Sequence, residues 1–124
     1  MRLTMHKPCP LFQALNLVGD KWSLLLLRDL LGGARRYSEF CQQENIPSNI
    51  LAARLKRLLN EGIIDKQPYQ QQPVRYQYRL TRKGADLLPA MQSLATWAMQ
   101  YTDSSTPPDS FFQLQPMSLE TGDG

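Results

Sequence analysis

Cys9 stands between two prolines in "HKPCPLF", with His6 and Lys7 just before it. Pro10 is pre-shaped for the first position of a helix, so Cys9 falls at that helix's N-terminal side. Backbone amides there and a neighbouring cation both favour thiolate, the form that reacts with oxidants and electrophiles. The same residue also fits a quieter role, as a small side chain packed at a seam between chains. Cys41, following Phe40, reads as an unreactive, partly buried thiol. His6 is the chain's single histidine, so a Ser–His or Cys–His nucleophile system would depend on it alone. His6-x-x-Cys9 offers two metal ligands and no third or fourth. We therefore read no metal site, no cofactor and no catalytic constellation.

A second group of residues points to a polyanion. In "IPSNILAARLKRLLNEGII", Leu51, Leu55, Leu58 and Leu59 fall at i, i+4, i+7 and i+8 and make one apolar stripe on a helix. The opposite side carries Asn49, Ala53, Lys56 and Asn60, with Arg57 at its edge and no acid before Glu61. That side is short-chained near its start and basic further along. Arg35-Arg36 and Arg75 add cations from other segments. All 14 Lys and Arg lie in residues 1–83 against six acids, while residues 84–124 hold five acids and no base. The formal net charge of +3 thus hides a basic body and an acidic C-terminal part.

A chain of 124 residues suffices for one domain of modest core. The longest pure apolar run, Leu24–Leu27, is far below the ~20 residues of a membrane span. The start lacks the apolar core and cleavage site of a signal peptide. Two cysteines are too few for a secreted disulfide scaffold. These features read as a cytoplasmic protein without membrane contact.

The elements that must position these residues follow from periodicity and caps. A first helix runs from Pro10 to Val18 with Leu11, Leu15 and Val18 on its stripe. Asp20 caps a second, "KWSLLLLRDLL", which is apolar almost all round and should form the core's centre before Gly32-Gly33 stops it. Tyr37 to Gln43 reads as a short third helix capped by Ser38, with Phe40 facing in. The fourth helix takes Ser48 as N-cap and Gly62 as left-handed stop. Val74, Tyr76, Tyr78 and Leu80 then alternate with polar residues as a half-buried strand, paired with "IIDKQ" across a tip at Tyr69–Gln72. Thr81 caps a final helix reaching Tyr101, kinked at Pro89, with Leu87, Met91, Leu94, Ala98 and Tyr101 on one stripe. Trp22 and Trp97 are assigned to core and interface. Residues 1–102 form the domain, and 103–124 read as a disordered acidic tail.

Short helix, tight link "ENIPS", longer helix and β-hairpin is the order of a winged helix-turn-helix, mostly α with a small β-hairpin wing. A helix in the major groove needs short side chains at its first turns to approach base edges, and cations beyond them for phosphate. Arg35 and Arg36 precede the third helix, whose N-terminus also favours phosphate. Arg75 sits beside the hairpin tip, where a wing meets a minor groove. The DNA-contact set is then Arg35, Arg36, Ser38, Ser48, Asn49, Ala53, Lys56, Arg57 and Arg75.

The segment "CPLFQALNLVGDKWSLLLLRDLLGGARRYSEF" resembles the N-terminal half of HxlR-type winged-helix transcription regulators, relatives of the MarR group. "IPSNILAARLKRLLNEGII", the Y-x-L-T-x-x-G form of "YRLTRKG" and the late Trp97 extend the resemblance over Cys9 to Tyr101. It implies a homodimer, assembled by the N-terminal segment and last helix, on a pseudo-palindromic operator in double-stranded DNA. For a cysteine in the "CP" position it also implies redox or electrophile sensing, with a small reactive inducer, and this role falls to Cys9 only. The expected function is a transcription regulator, read as a repressor. The rivals are a winged helix used for protein–protein contact and a small thiol enzyme.

Overall fold

The computed structural model describes residues 9–103, apart from the side chains of Gln43 and Glu44. His6, Lys7 and the expected tail beyond Asp103 lie outside the described residues. Helix α1 (Pro10–Val18) has proline in its first turn and Cys9 as its extended N-cap. After Gly19 and Asp20 comes α2 (Lys21–Leu30). Asp20 caps it as expected: Oδ2 accepts from the Ser23 amide at 3.0 Å and Oδ1 from the Ser23 hydroxyl at 2.8 Å. Leu26, Leu27 and Leu30 of α2 are buried almost completely. Around them pack Phe40 of α3 (Tyr37–Glu44) and Leu51, Leu55 and Leu58 of α4 (Ser48–Asn60). Each such side chain contributes about 1.5–3 kcal/mol over an exposed one, which makes this cluster the support of everything outside it.

Two expected caps are displaced. Ser38 lies within the first turn of α3, whose N-cap is Arg36; the Arg36 amide donates to Glu39 Oε1 at 2.6 Å. Ser48 is the first residue of α4, and Pro47 is the cap. Proline's fixed φ supplies the extended entry that a cap needs, and the Pro47 carbonyl accepts from the Ile50 and Leu51 amides at 3.0 and 2.9 Å. The far end of α4 behaves as expected. Gly62 takes φ +72°, its amide donates to the Leu59 carbonyl, and the Ile63 amide reaches back to Leu58 at 3.0 Å. That is a Schellman stop, sealed by the buried Leu58 and Ile63.

Three strands make the wing. β1 (Arg35–Arg36), β2 (Ile64–Gln71) and β3 (Val74–Leu80) form an antiparallel sheet in the order β1–β3–β2. Arg35 pairs with Tyr78, Arg36 with Gln77 and Ile64 with Leu80. β2 runs on through the segment expected as the tip, with a register irregularity between Pro68 and Gln70; the turn is at Gln72-Pro73, joined by a cis peptide. Pro68 is tolerated because β2 is an edge strand. Burial along β3 is a gradient rather than a full alternation. Leu80 is buried and Tyr78 half-buried, whereas Val74 and Tyr76 are 49% and 42% exposed where the hairpin runs past the core.

Thr81 caps a helix as expected, its hydroxyl accepting from the Gly84 amide at 3.2 Å, but that helix, α5 (Arg82–Ala85), is short. The expected kinked helix is two separate ones. α6 (Leu88–Tyr101) starts anew with Pro89 in its first turn, where a missing N–H costs nothing. Leu88 and Met91 reach the core, while Leu94, Trp97 and Tyr101 stand outside it.

Candidate nucleic-acid interface

The link from α3 to α4 is fixed at three points. Asn45 takes a left-handed φ of 49°, Ile46 is buried, and the Tyr37 hydroxyl donates to the Ser48 carbonyl at 3.4 Å. The start of α3 is thereby tied to the start of α4. With its leucine stripe in the core, α4 turns Ser48, Asn49, Ala53, Lys56 and Asn60 to solvent, and Ala52 beside them. Short side chains occupy the first turns and a cation the third, without an acid among them.

Strand alternation divides the two arginines that precede α3. Arg35 shares a sheet face with its partner Tyr78, whose ring meets Phe40 at 6.2 Å on the core side. It is half-buried, and Nη1 donates to the Ala34 carbonyl at 3.2 Å. Burial pushes the Tyr78 phenol up, and Tyr37 adds to that shift. Arg36 pairs with Gln77 on the other face, the face of Arg75 and Arg79. Its guanidinium lies 4.0 Å from the Tyr69 ring centroid, bracing the wing against the start of α3. Arg79 pairs with Asp65 at 2.9 Å. The Arg75 side chain is exposed beside Gln70 near the hairpin end and makes no hydrogen bond or ion pair among the described residues.

The flank of α4 between stripe and outward side carries Arg54 and Arg57, which turn back toward α1. Arg54 Nε meets Asp20 Oδ2 at 2.8 Å, and Arg57 Nη2 donates to the Asn16 carbonyl. Burial opposes ionisation of Asp20, yet the hydrogen bonds from Ser23 and Arg54 and the Arg54 charge outweigh it and hold its carboxyl below the usual range. Sequence reasoning missed Arg54, whose partner lies 34 residues away and leaves no local signal. It also missed the ties made by Tyr37 and Tyr69.

Cys9 is half-buried at the head of α1, but Cys41 is exposed, against the expectation of a partly buried thiol. Phe40 takes the inward position of α3, and its successor is carried round to solvent. Among the described residues no group of three or more His, Cys, Asp or Glu is placed to hold a metal ion. No helix of the described residues is long and apolar enough to cross a membrane. Leu11, Phe12 and Leu15 of α1 are exposed, as are Leu94, Trp97 and Tyr101 of α6.

A helix pair joined by a tight link, with the second helix presented outward and a three-stranded wing beside it, defines a winged helix-turn-helix protein. A family model described as HxlR-like helix-turn-helix matches residues 17–106, and the chain belongs to that family. It is 40% identical over 89 residues to an HTH-type transcriptional regulator of Mycobacterium bovis, a match covering 72% of this chain and 56% of the relative. The chain thus spans little more than half the length of that relative. The redox regulator HypR in its oxidised form superposes with a TM-score of 0.70 at 29% identity, over 77% of this chain and 100% of HypR. The reduced transcriptional regulator YodB of Bacillus subtilis gives 0.67 at 31% identity, over 81% of this chain and 100% of YodB.

Proposed function

We propose that this chain is a homodimeric, cytoplasmic, sequence-specific DNA-binding regulator that represses transcription from a pseudo-palindromic operator. The observation that carries the reading is the outward side of α4: Asn49, Ala53 and Lys56 exposed together, acid-free and held rigidly from behind by the leucine stripe. Asn49 and Ala53 meet base edges, Ser38, Ser48, Lys56, Arg35 and Arg36 meet phosphate, and Arg75 meets the adjacent minor groove. Arg57 is left outside this set, because its guanidinium is engaged by the Asn16 carbonyl at the end of α1. Selection of binding sites from random duplex DNA tests the reading. One palindromic site should emerge, and Asn49→Ala should lower the preference for it over competitor DNA. Loss of affinity on all sequences alike would demote Asn49 to a backbone contact, and no enriched site at all would refute specific binding.

Cys9 is the proposed sensor of a small reactive inducer. Its place at the N-terminus of α1 supports this, as does similarity to HypR, which is named a redox regulator. Cys9→Ser should bind the operator normally but lose its response to diamide, while Cys41→Ser, despite the exposure of that thiol, should keep most of it. Unchanged operator binding by wild-type protein after complete modification of Cys9 would leave the thiol a packing residue.

A further inference from the structure

We propose that Arg54 and Arg57 are positioning residues, which tie the recognition helix α4 to α1 and thereby set the distance between the two recognition helices of a dimer. The inference rests on the dimeric operator reading above. Asn16 lies in the last turn of α1, where a carbonyl has lost the amide that a longer helix would offer it. Leu15 is served by the Gly19 amide at 2.8 Å, but the chain then turns away into α2. The Asn16 carbonyl is met instead by Arg57, from a helix 41 residues further on. A cation suits that place, because the C-terminal end of α1 is the negative end of its dipole. Arg54, one turn before Arg57, grips Asp20 at the corner between α1 and α2. The two arginines fall at i and i+3, on one flank of α4, and hold neighbouring points of one corner.

These polar ties matter because α1 otherwise packs on the core through Val18 and the partly buried Leu17 near its C-terminal end. Val18 is the one buried residue of that helix, and Leu11, Phe12 and Leu15 are turned outward. A second copy covering that apolar side grips α1, not α4. Any tilt of α1 against α4 then moves each recognition helix relative to the seam. Half-sites on straight duplex stand roughly 34–36 Å apart for a twofold protein, so a loose joint at Asn16 and Asp20 blurs the spacing that the dimer accepts.

The experiment measures full-chain protein on duplexes carrying two copies of the selected half-site, with spacers lengthened or shortened by single base pairs, and on a duplex carrying one half-site. Salt dependence is recorded on each, and urea unfolding checks that every variant is folded. Wild type should prefer one spacer. Arg57→Ala should flatten that preference by about tenfold, the factor that one charge-assisted hydrogen bond commands, while half-site affinity and the log–log salt slope stay as in wild type. Arg54→Ala should act in the same direction, and Arg57→Lys should restore most of the preference, since an ammonium also donates to a carbonyl. The proposal is overturned if Arg57→Ala keeps the spacer preference and instead loses affinity on every duplex with a salt slope shallower by roughly 2, the signature of a phosphate contact in each subunit. Wild-type protein that binds two half-sites no better than one refutes the dimeric reading itself, and this inference with it.

Discussion

Asp20 serves two partners at once, the Ser23 amide and hydroxyl within its own helix and the Arg54 guanidinium from α4. Asp20→Ala removes both and should cost about 1–2 kcal/mol in urea unfolding, most of it the lost cap. Asp20→Asn should cost less, because asparagine caps nearly as well. The charged part is also readable by pH. A carboxyl held below its unfolded value stabilises fully above that value, about 3.9, and the gain disappears as pH falls through the lowered native value. The stability difference between wild type and Asp20→Asn should therefore be constant above about pH 5 and shrink as pH falls below about 4. Arg75, with its side chain exposed on the wing, tests another quantity. Arg75→Ala in the dimer should make the salt slope of operator binding shallower by roughly 2 if each copy meets a phosphate, and an unchanged slope would place it in solvent.

At the scale of elements, the two glycines flanking the wing should respond differently. At Gly62 an added Cβ meets nothing within 4 Å, and only the φ of +72° resists, so Gly62→Ala should cost about 1 kcal/mol. At Gly84 the Cβ would press into the Ile63 carbonyl, with Leu80 beside it. Backbone cannot step aside as a flexible side chain does, so Gly84→Ala should cost the larger amount, about 1–3 kcal/mol. Denaturant midpoints of the two variants rank them. Helices α1, α2 and α4 were legible in the sequence because their starts and stops are written in adjacent residues: Pro10, Asp20, the leucine stripe and Gly62. The outward side of α4 was legible for the same reason. β1 was not, since two residues carry no period and its pairing with Tyr78 and Gln77 is made across a long stretch of chain. The division of α5 from α6 was misread because Pro89 suits a helix's first turn as well as it disrupts a middle. The engagement of Arg57 with Asn16 was not legible, because it depends on where α1 ends in space.

Most of the exposed large apolar side chains stand on α1 and α6, and Val74 and Tyr76 of the wing are exposed too. Leu11 and Trp97 are 66% and 60% exposed, and Tyr101 is 71% exposed, a combination that lone soluble chains avoid and that the proposed dimer would cover. Sedimentation at micromolar concentration should give a dimer, and Trp97→Glu should shift it toward monomer without unfolding the domain. The variant should also lose the gain from a second half-site while binding one half-site as before. A wild-type monomer at that concentration would count against the operator model. The wing shows the converse arrangement. An open sheet edge is a template on which foreign strands assemble. Here β1 ends after two residues, and β2 carries Lys66, Pro68 and the register irregularity on the other side. Neither edge offers an uninterrupted row of amides and carbonyls, so strand-by-strand aggregation finds no place to start, and the hairpin can stand exposed at high concentration without pairing to a neighbour's strands.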